Sequence, residues 1–252
     1  MKRKLNLSRL AGLVLLLAIT VALIQTGSLR SAASNPNIDD LNLTSERQVL
    51  ESFINDFVAY NKECAQLSKK PNLVRTEVEG LERKSEALKQ RLSLLQNASR
   101  SIVSKLKAAG KWDNLNETIL ANTSDGRQKS FLQGINFKAE IEEAANTIGT
   151  RGKEIDVPIE KLRRRVASRS MSENENVLML RAGYVGAVPM ATTSLGCSAG
   201  KLMIGAFRAA GKTVPDIVLD FTSCACSPPC PGCNHGLTGS YDCSDLGFGA
   251  AT

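Results

Sequence analysis

The chain has 252 residues, of which 32 are lysine or arginine, 25 are aspartate or glutamate and one is histidine. Five basic residues and no acidic ones fall within residues 1–33, so the remaining chain has 27 basic residues against 25 acidic ones. This near balance excludes the broad basic surface of a nucleic-acid-binding protein, and we expect no nucleic-acid partner.

The first 33 residues have the three parts of an export signal. A basic start precedes an apolar run over residues 10–24, and small and polar residues follow. The run is shorter than the eighteen or more residues of a membrane span, so a cleaved signal peptide and a retained signal anchor both remain open. Either one places the body outside the cytoplasm. We therefore expect an extracytoplasmic protein that is secreted, periplasmic or on the cell surface.

Residues 45–110 carry the pattern of a helical hairpin with a heptad coiled coil. Before Pro71, apolar residues recur at spacings of three and four, which places them on one face of a first helix. Beyond Pro71, a seam repeats every seven residues. The stripe of the first helix is Leu50, Phe53, Phe57, Tyr60, Cys64 and Leu67, and the seam is Val74, Val78, Leu81, Ser85, Leu88, Leu92, Leu95, Ser99, Ile102 and Leu106.

Two partners for this seam remain open. The short break at residues 69–72 lets the first helix fold back on the second within one chain. Alternatively, the long helices of two chains associate in parallel as a stalk. Cys64 is accordingly either a buried small apolar residue or one half of a disulfide across a seam between chains.

The remaining sequence divides near residue 170. Residues 125–169 are predicted to form further helices that pack on the hairpin, with the basic run at residues 161–165 on a solvated helix face. Residues 174–252 are rich in glycine and cysteine and predict a small, irregular α+β module. In it, residues 177–180 and 217–221 are predicted strands and residues 199–210 a helix. The predicted fold class is therefore mainly α, with a coiled-coil or helical-hairpin region followed by this module.

The cysteines of this module predict disulfide bonds if the chain is exported. Six cysteines allow fifteen pairings, between which the sequence does not choose. The cysteines concerned are Cys197, Cys224, Cys226, Cys230, Cys233 and Cys243.

Two alternatives use part of the same cluster. Cys230 and Cys233 have the two-residue spacing of zinc ligands, with His235 as a third ligand and Cys224 or Cys226 as a fourth. The same pair also has the spacing of a redox dithiol.

Common catalytic motifs are missing from the sequence: it has no Gly-x-Ser-x-Gly, no His-Glu-x-x-His and no phosphate-binding glycine-rich loop. We predict no catalytic or cofactor-binding residue and no cofactor. The expected function is that of an exported structural or interaction protein, with a coiled-coil stalk and a disulfide-linked head. It would bind a protein partner or itself through the coiled coil, and residues 10–24 would anchor it if they are retained. The alternative is a thiol–disulfide redox or zinc-binding protein that uses Cys230, Cys233 and His235.

Overall fold

The structure, a computed structural model, describes residues 41–169, 190–227 and 236–248. This part of the chain is mainly helical and contains no strand, which confirms the prediction of a mainly α protein. The helices are α1 (Thr44–Lys69), α2 (Arg75–Ala108), α3 (Leu115–Ala121), α4 (Gly126–Gln133), α5 (Phe137–Thr147), α6 (Gly152–Arg169), α7 (Met190–Ala209) and α8 (Asp216–Cys226), with a 3-10 turn at Ile148–Thr150.

Helices α1 and α2 lie side by side and antiparallel, joined by residues 70–74. Their antiparallel order follows from three ion pairs, in which the partner on α2 moves toward the start of that helix as the partner on α1 moves toward the end of its own: Glu46–Lys105, Asp56–Arg91 and Glu63–Lys84. The apolar stripe of α1 faces inward, because Leu50, Phe53, Phe57, Tyr60 and Cys64 are all buried. The two helices thus form a hairpin whose apolar sides turn into the protein.

The heptad seam of α2 lies inside a helical bundle. Every seam residue is buried except Val74, which is 51% exposed at the start of the helix. Helices α1, α5 and α6 all pack against α2. The two serines in the seam have partners, since Ser85 donates to Asp156 Oδ1 at 2.7 Å and Ser99 donates to the Leu95 carbonyl at 2.8 Å. A two-stranded coiled coil is therefore not confirmed, because helices of the same chain cover the seam.

The basic run on α6 has structural partners. Arg163 pairs with Glu82 of α2, and Arg165 donates hydrogen bonds to the carbonyls of Ser68 and Lys70 at 2.5 and 2.9 Å. Carbonyls at a helix C-terminus have no partner within the helix, so Arg165 supplies donors that α1 needs there. The run holds α6 on the hairpin as well as facing solvent.

Helices α7 and α8 belong to the same hydrophobic core as the helices before them. Helix α7 packs on α1, α3, α5, α6 and α8. Its contact with α5 is close, because a Cβ atom at Gly205 would lie 2.8 Å from Phe137 Cδ1 and 2.9 Å from Ile141 Cδ1. The two C-terminal helices are therefore packed directly on the helices of residues 41–169.

The strand predicted at residues 217–221 is wrong, because these residues form the first half of α8. The helix is buried on nearly all sides, including Val218, Leu219, Phe221 and Ala225. A short, mainly apolar run cannot be told from a buried strand by its pattern alone. The α+β character predicted for residues 174–252 is likewise not confirmed in the described residues, and the strand predicted at residues 177–180 lies outside them. The helix predicted at residues 199–210 corresponds to the second half of α7, which begins earlier and ends one residue sooner, at Ala209.

Candidate functional site

Two disulfides crosslink the C-terminal part of the chain. Cys197 of α7 is bonded to Cys226 of α8, and Cys224 of α8 is bonded to Cys243. The Cα–Cα distances of 4.8 and 5.5 Å lie in the usual range for disulfides. The prediction that this part of the chain contains disulfide bonds is thus confirmed, and for Cys230 and Cys233 it stays a prediction. We call residues 236–248 the C-terminal strap, since Cys243 ties this segment to α8.

Cys230, Cys233 and His235 lie outside the described residues. The zinc site and the redox dithiol proposed for them therefore remain predictions. Within the described residues, no group of three or more histidine, cysteine, aspartate or glutamate side chains could hold a metal ion.

Cys64 is the one cysteine outside a disulfide in the described part of the chain. It lies buried on α1, next to Tyr60, whose hydroxyl donates to the Ile155 carbonyl at 2.6 Å. Burial raises the pKa of the Cys64 thiol to about 12, because the thiolate would lose its hydration. At neutral pH Cys64 is therefore an unreactive thiol inside the core.

Helices α7 and α8 approach closely enough that only glycine fits between them. A Cβ atom at Gly196 would lie 2.9 Å from the ring of Phe221, and one at Gly200 would overlap the hydroxyl of Thr222. The Thr222 hydroxyl donates to the Val218 carbonyl at 2.6 Å, so it is fixed in place. This contact positions Cys197 beside Cys226.

Asp220 of α8 binds the strap from a fully buried position. Its carboxylate accepts hydrogen bonds from the Thr238 amide at 2.5 Å, the Thr238 hydroxyl at 2.6 Å and the Tyr241 amide at 3.0 Å. A buried carboxylate needs such donors, because an unpaired charge in the interior is very unfavourable. Gly236 lies directly against this carboxylate and leaves no room there for a Cβ atom. No sequence motif identifies Asp220 as a site residue; the one signal is that it is the single acid in the apolar run of residues 217–221.

The strap also covers the core between α1 and α8. Its apolar side chains Leu237, Leu246 and Phe248 are buried. The Phe248 ring lies 5.3 Å from that of Phe221, which in turn makes an edge contact with Phe57 of α1 at 6.1 Å. The strap therefore fills the junction at which α8 meets α1.

Gly247 of the strap lies directly over Asn61 of α1. It adopts φ +84°, a backbone conformation that favours glycine, and a Cβ atom there would lie 2.7 Å from the Asn61 Cβ. Asn61 is fully buried, and neither its amide nitrogen nor its amide oxygen has a hydrogen-bond partner in the described structure. Such unpaired amides are rare in native proteins and carry a desolvation cost.

An open cleft of about 440 Å³ lies between α2 and α6. Its lining is charged, and five of the seven lining side chains pair with one another: Glu82 with Arg163, and Lys89 with both Glu86 and Asp156. These groups are therefore engaged in holding α6 on α2.

Among the described helices, none combines the length and the apolar character needed to cross a membrane. Comparison with known proteins adds no relative: no family model matches the chain, and no curated protein or solved structure matches it either.

Proposed function

We propose that this protein is an exported, non-enzymatic structural or interaction component: a helical bundle whose C-terminal helices and strap are crosslinked by disulfides. The observation that carries the proposal is the pair of disulfides, Cys197–Cys226 and Cys224–Cys243. Structural disulfides persist in oxidising compartments and are rare in the cytosol. The export signal predicted over residues 1–33 supplies the route to such a compartment.

The engagement of its polar groups supports a structural role. Asp220 accepts three hydrogen bonds from the strap, and five of the seven charged residues that line the cleft between α2 and α6 pair with each other. A general acid or base needs a free proton position that faces a substrate. These groups already have partners within the fold.

The mode of interaction differs from that of a stalk. A second copy that used the heptad seam would have to displace α1, α5 and α6 from α2, because these helices cover it. We therefore place partner contacts on the exposed polar faces of the helices. Retention of residues 10–24 as an anchor would hold the bundle at a membrane.

Fractionation of cells that express the full chain tests this proposal. We expect the protein outside the cytoplasm, with Cys197, Cys224, Cys226 and Cys243 resistant to alkylation until a reductant is added. A matched variant with Leu15→Arg and Leu16→Arg breaks the apolar run of the signal, so it should stay in the cytoplasm. Wild-type protein found in the cytoplasm with four alkylated thiols would refute the proposal.

A second candidate function is thiol–disulfide exchange or zinc binding at Cys230, Cys233 and His235. One observation favours it. Four of the other cysteines are paired, and Cys64 is buried in the core. Within one chain, the remaining partner for Cys230 is therefore Cys233. A pair with two intervening residues suits either exchange or metal binding.

Insulin reduction and elemental analysis test the second candidate. It predicts turnover or stoichiometric zinc in the wild type, lost in Cys230→Ser and retained in the matched variant Cys64→Ser. Absence of both signals in the wild type would exclude it.

A further inference from the structure

We infer that the C-terminal strap is a redox latch. While Cys224–Cys243 is intact, the strap is closed over the junction of α1 and α8; when a dithiol reduces this bond, the strap opens and the helical bundle stays folded. The inference rests on the disulfide and the strap contacts, and it holds whether or not the proposed function is correct.

The strap depends on few contacts for its order. Across its thirteen described residues it forms no helix or strand. Most of its internal backbone hydrogen bonds close short local turns, such as Gly247 to Ser244 and Phe248 to Cys243. The disulfide, three buried apolar side chains and the Asp220 carboxylate tie it to the helices, with single hydrogen bonds from Arg127 to the Gly236 carbonyl and from Ser240 to Asp216 beside them. A segment of this kind is easily opened locally, because ordering its backbone opposes closure.

The contact with α1 adds a bias toward opening. Gly247 closes over Asn61, whose amide is buried without a partner in the described chain. When the strap lifts, water can reach this side of α1 and hydrate the amide. Closure therefore carries a cost at Asn61 that the covalent link to Cys224 offsets.

The other disulfide has no such role. Cys197–Cys226 joins two helices that already pack closely through Gly196 and Gly200. Both helices also have partners elsewhere in the bundle. Loss of this bond lowers the stability of the whole bundle but leaves no loosely held segment to open.

The chemical step is ordinary thiol–disulfide exchange with a dithiol. A thiolate of the dithiol attacks the sulfur of Cys243, which is half-buried on the strap, and the sulfur of Cys224 leaves and takes up a proton. The second thiol then attacks the mixed disulfide and releases the Cys243 thiol. Two electrons and two protons pass to the protein, and the dithiol becomes a cyclic disulfide.

Hydrogen exchange measured by mass spectrometry tests the latch. In the full chain with Cys224→Ser and Cys243→Ser, peptides over residues 236–248 should exchange about a hundredfold faster, which is the effect of removing a 19-residue crosslinked loop. Peptides from α2 should change less than threefold. In the matched variant with Cys197→Ser and Cys226→Ser, the strap should keep its protection until dithiothreitol is added and then lose it. Unchanged exchange of the strap, or equal acceleration of the strap and α2, would overturn the inference.

A substitution at Asn61 tests the latch a second time without changing any cysteine. Asn61→Ala removes the unpartnered amide, so it should slow exchange of the strap about tenfold after reduction with dithiothreitol. Faster or unchanged exchange of the strap in this variant would show that Asn61 does not bias the latch.

Discussion

Asp220 is the most deeply buried acidic side chain of the described residues. Its hydrogen-bond partners all lie in the strap, so the replacement of one carboxylate oxygen should weaken the contact between α8 and the strap. Asp220→Asn replaces one carboxylate oxygen by an NH2 group, and this donor would face the N–H and O–H donors of the strap. We expect a loss of about 3 kcal/mol in the free energy of unfolding, measured by urea denaturation at pH 7.

Asp216→Asn is the matched control for this change. Asp216 also lies on α8 and also binds the strap, but it is exposed and accepts a single hydrogen bond, from Ser240 at 3.1 Å. We expect a loss below about 1 kcal/mol. Equal losses at the two positions would contradict the structural role given to Asp220.

Gly200 and Gly80 form a second contrast between residues. A Cβ atom at Gly200 would overlap Thr222, whereas one at Gly80 on α2 would meet nothing within 4 Å. Gly200→Ala should therefore lower the free energy of unfolding by about 1–3 kcal/mol through overpacking. Gly80→Ala should raise it by about 1 kcal/mol, since alanine favours the helix. A stabilising effect of Gly200→Ala would show that α7 and α8 are less closely packed than described.

At the scale of elements, Glu46 joins the start of α1 to the end of α2. Burial opposes its ionisation, but hydrogen bonds from Lys105 at 2.7 Å, Ser101 at 2.5 Å and Ser45 at 3.0 Å outweigh this, and the pKa of the carboxyl lies below its usual value of 4.5. A lowered pKa means that the stabilisation is complete above pH 4.5 and is lost as pH falls through the lower folded pKa.

Glu46→Gln should remove this part of the pH dependence and cost about 1–3 kcal/mol at pH 7. The check is a series of urea denaturation curves from pH 7 down to the acid limit of the fold. Glu117→Gln, on the exposed side of α3, controls for the loss of one charge. If the Glu46→Gln protein lost stability with acid as steeply as the wild type, the carboxylate would not be ionised in the folded state as described.

The helices differ in how well their sequence patterns predict them. Helices α1 and α2 have one apolar and one polar face, so spacing alone predicts both, and the residues that it selects are buried except Val74 and the partly buried Leu67. Helix α8 is short and buried on nearly all sides, so its mainly apolar sequence is equally compatible with a buried strand. The strap depends on one acid and two glycines, Asp220, Gly236 and Gly247, whose partners lie far away in the sequence. Local patterns do not hold that information, and the choice among cysteine pairings is beyond them for the same reason.

At the scale of the molecule, substitutions in the heptad seam distinguish a bundle within one chain from an association of two chains. Leu95 is fully buried in the seam, and its neighbour Leu94 is 55% exposed. Leu95→Ala should lower the free energy of unfolding by about 2–5 kcal/mol, and Leu94→Ala should change it by less than about 0.5 kcal/mol. The unfolding midpoint of each protein should not depend on protein concentration. A midpoint that rises with protein concentration in the wild type, and no longer does so in Leu95→Ala, would show that the seam joins two chains.

The central claim, an exported bundle held by two specific disulfides, is tested most directly by a thiol map of the natively expressed protein. The protein is alkylated before and after denaturation, digested without reduction, and its linked peptides are identified by mass spectrometry. We predict peptides that link Cys197 to Cys226 and Cys224 to Cys243, and a Cys64 that is alkylated only after denaturation because it is buried. Alkylation of Cys197, Cys224, Cys226 and Cys243 in the native protein, or peptides that pair these cysteines differently, would contradict the account.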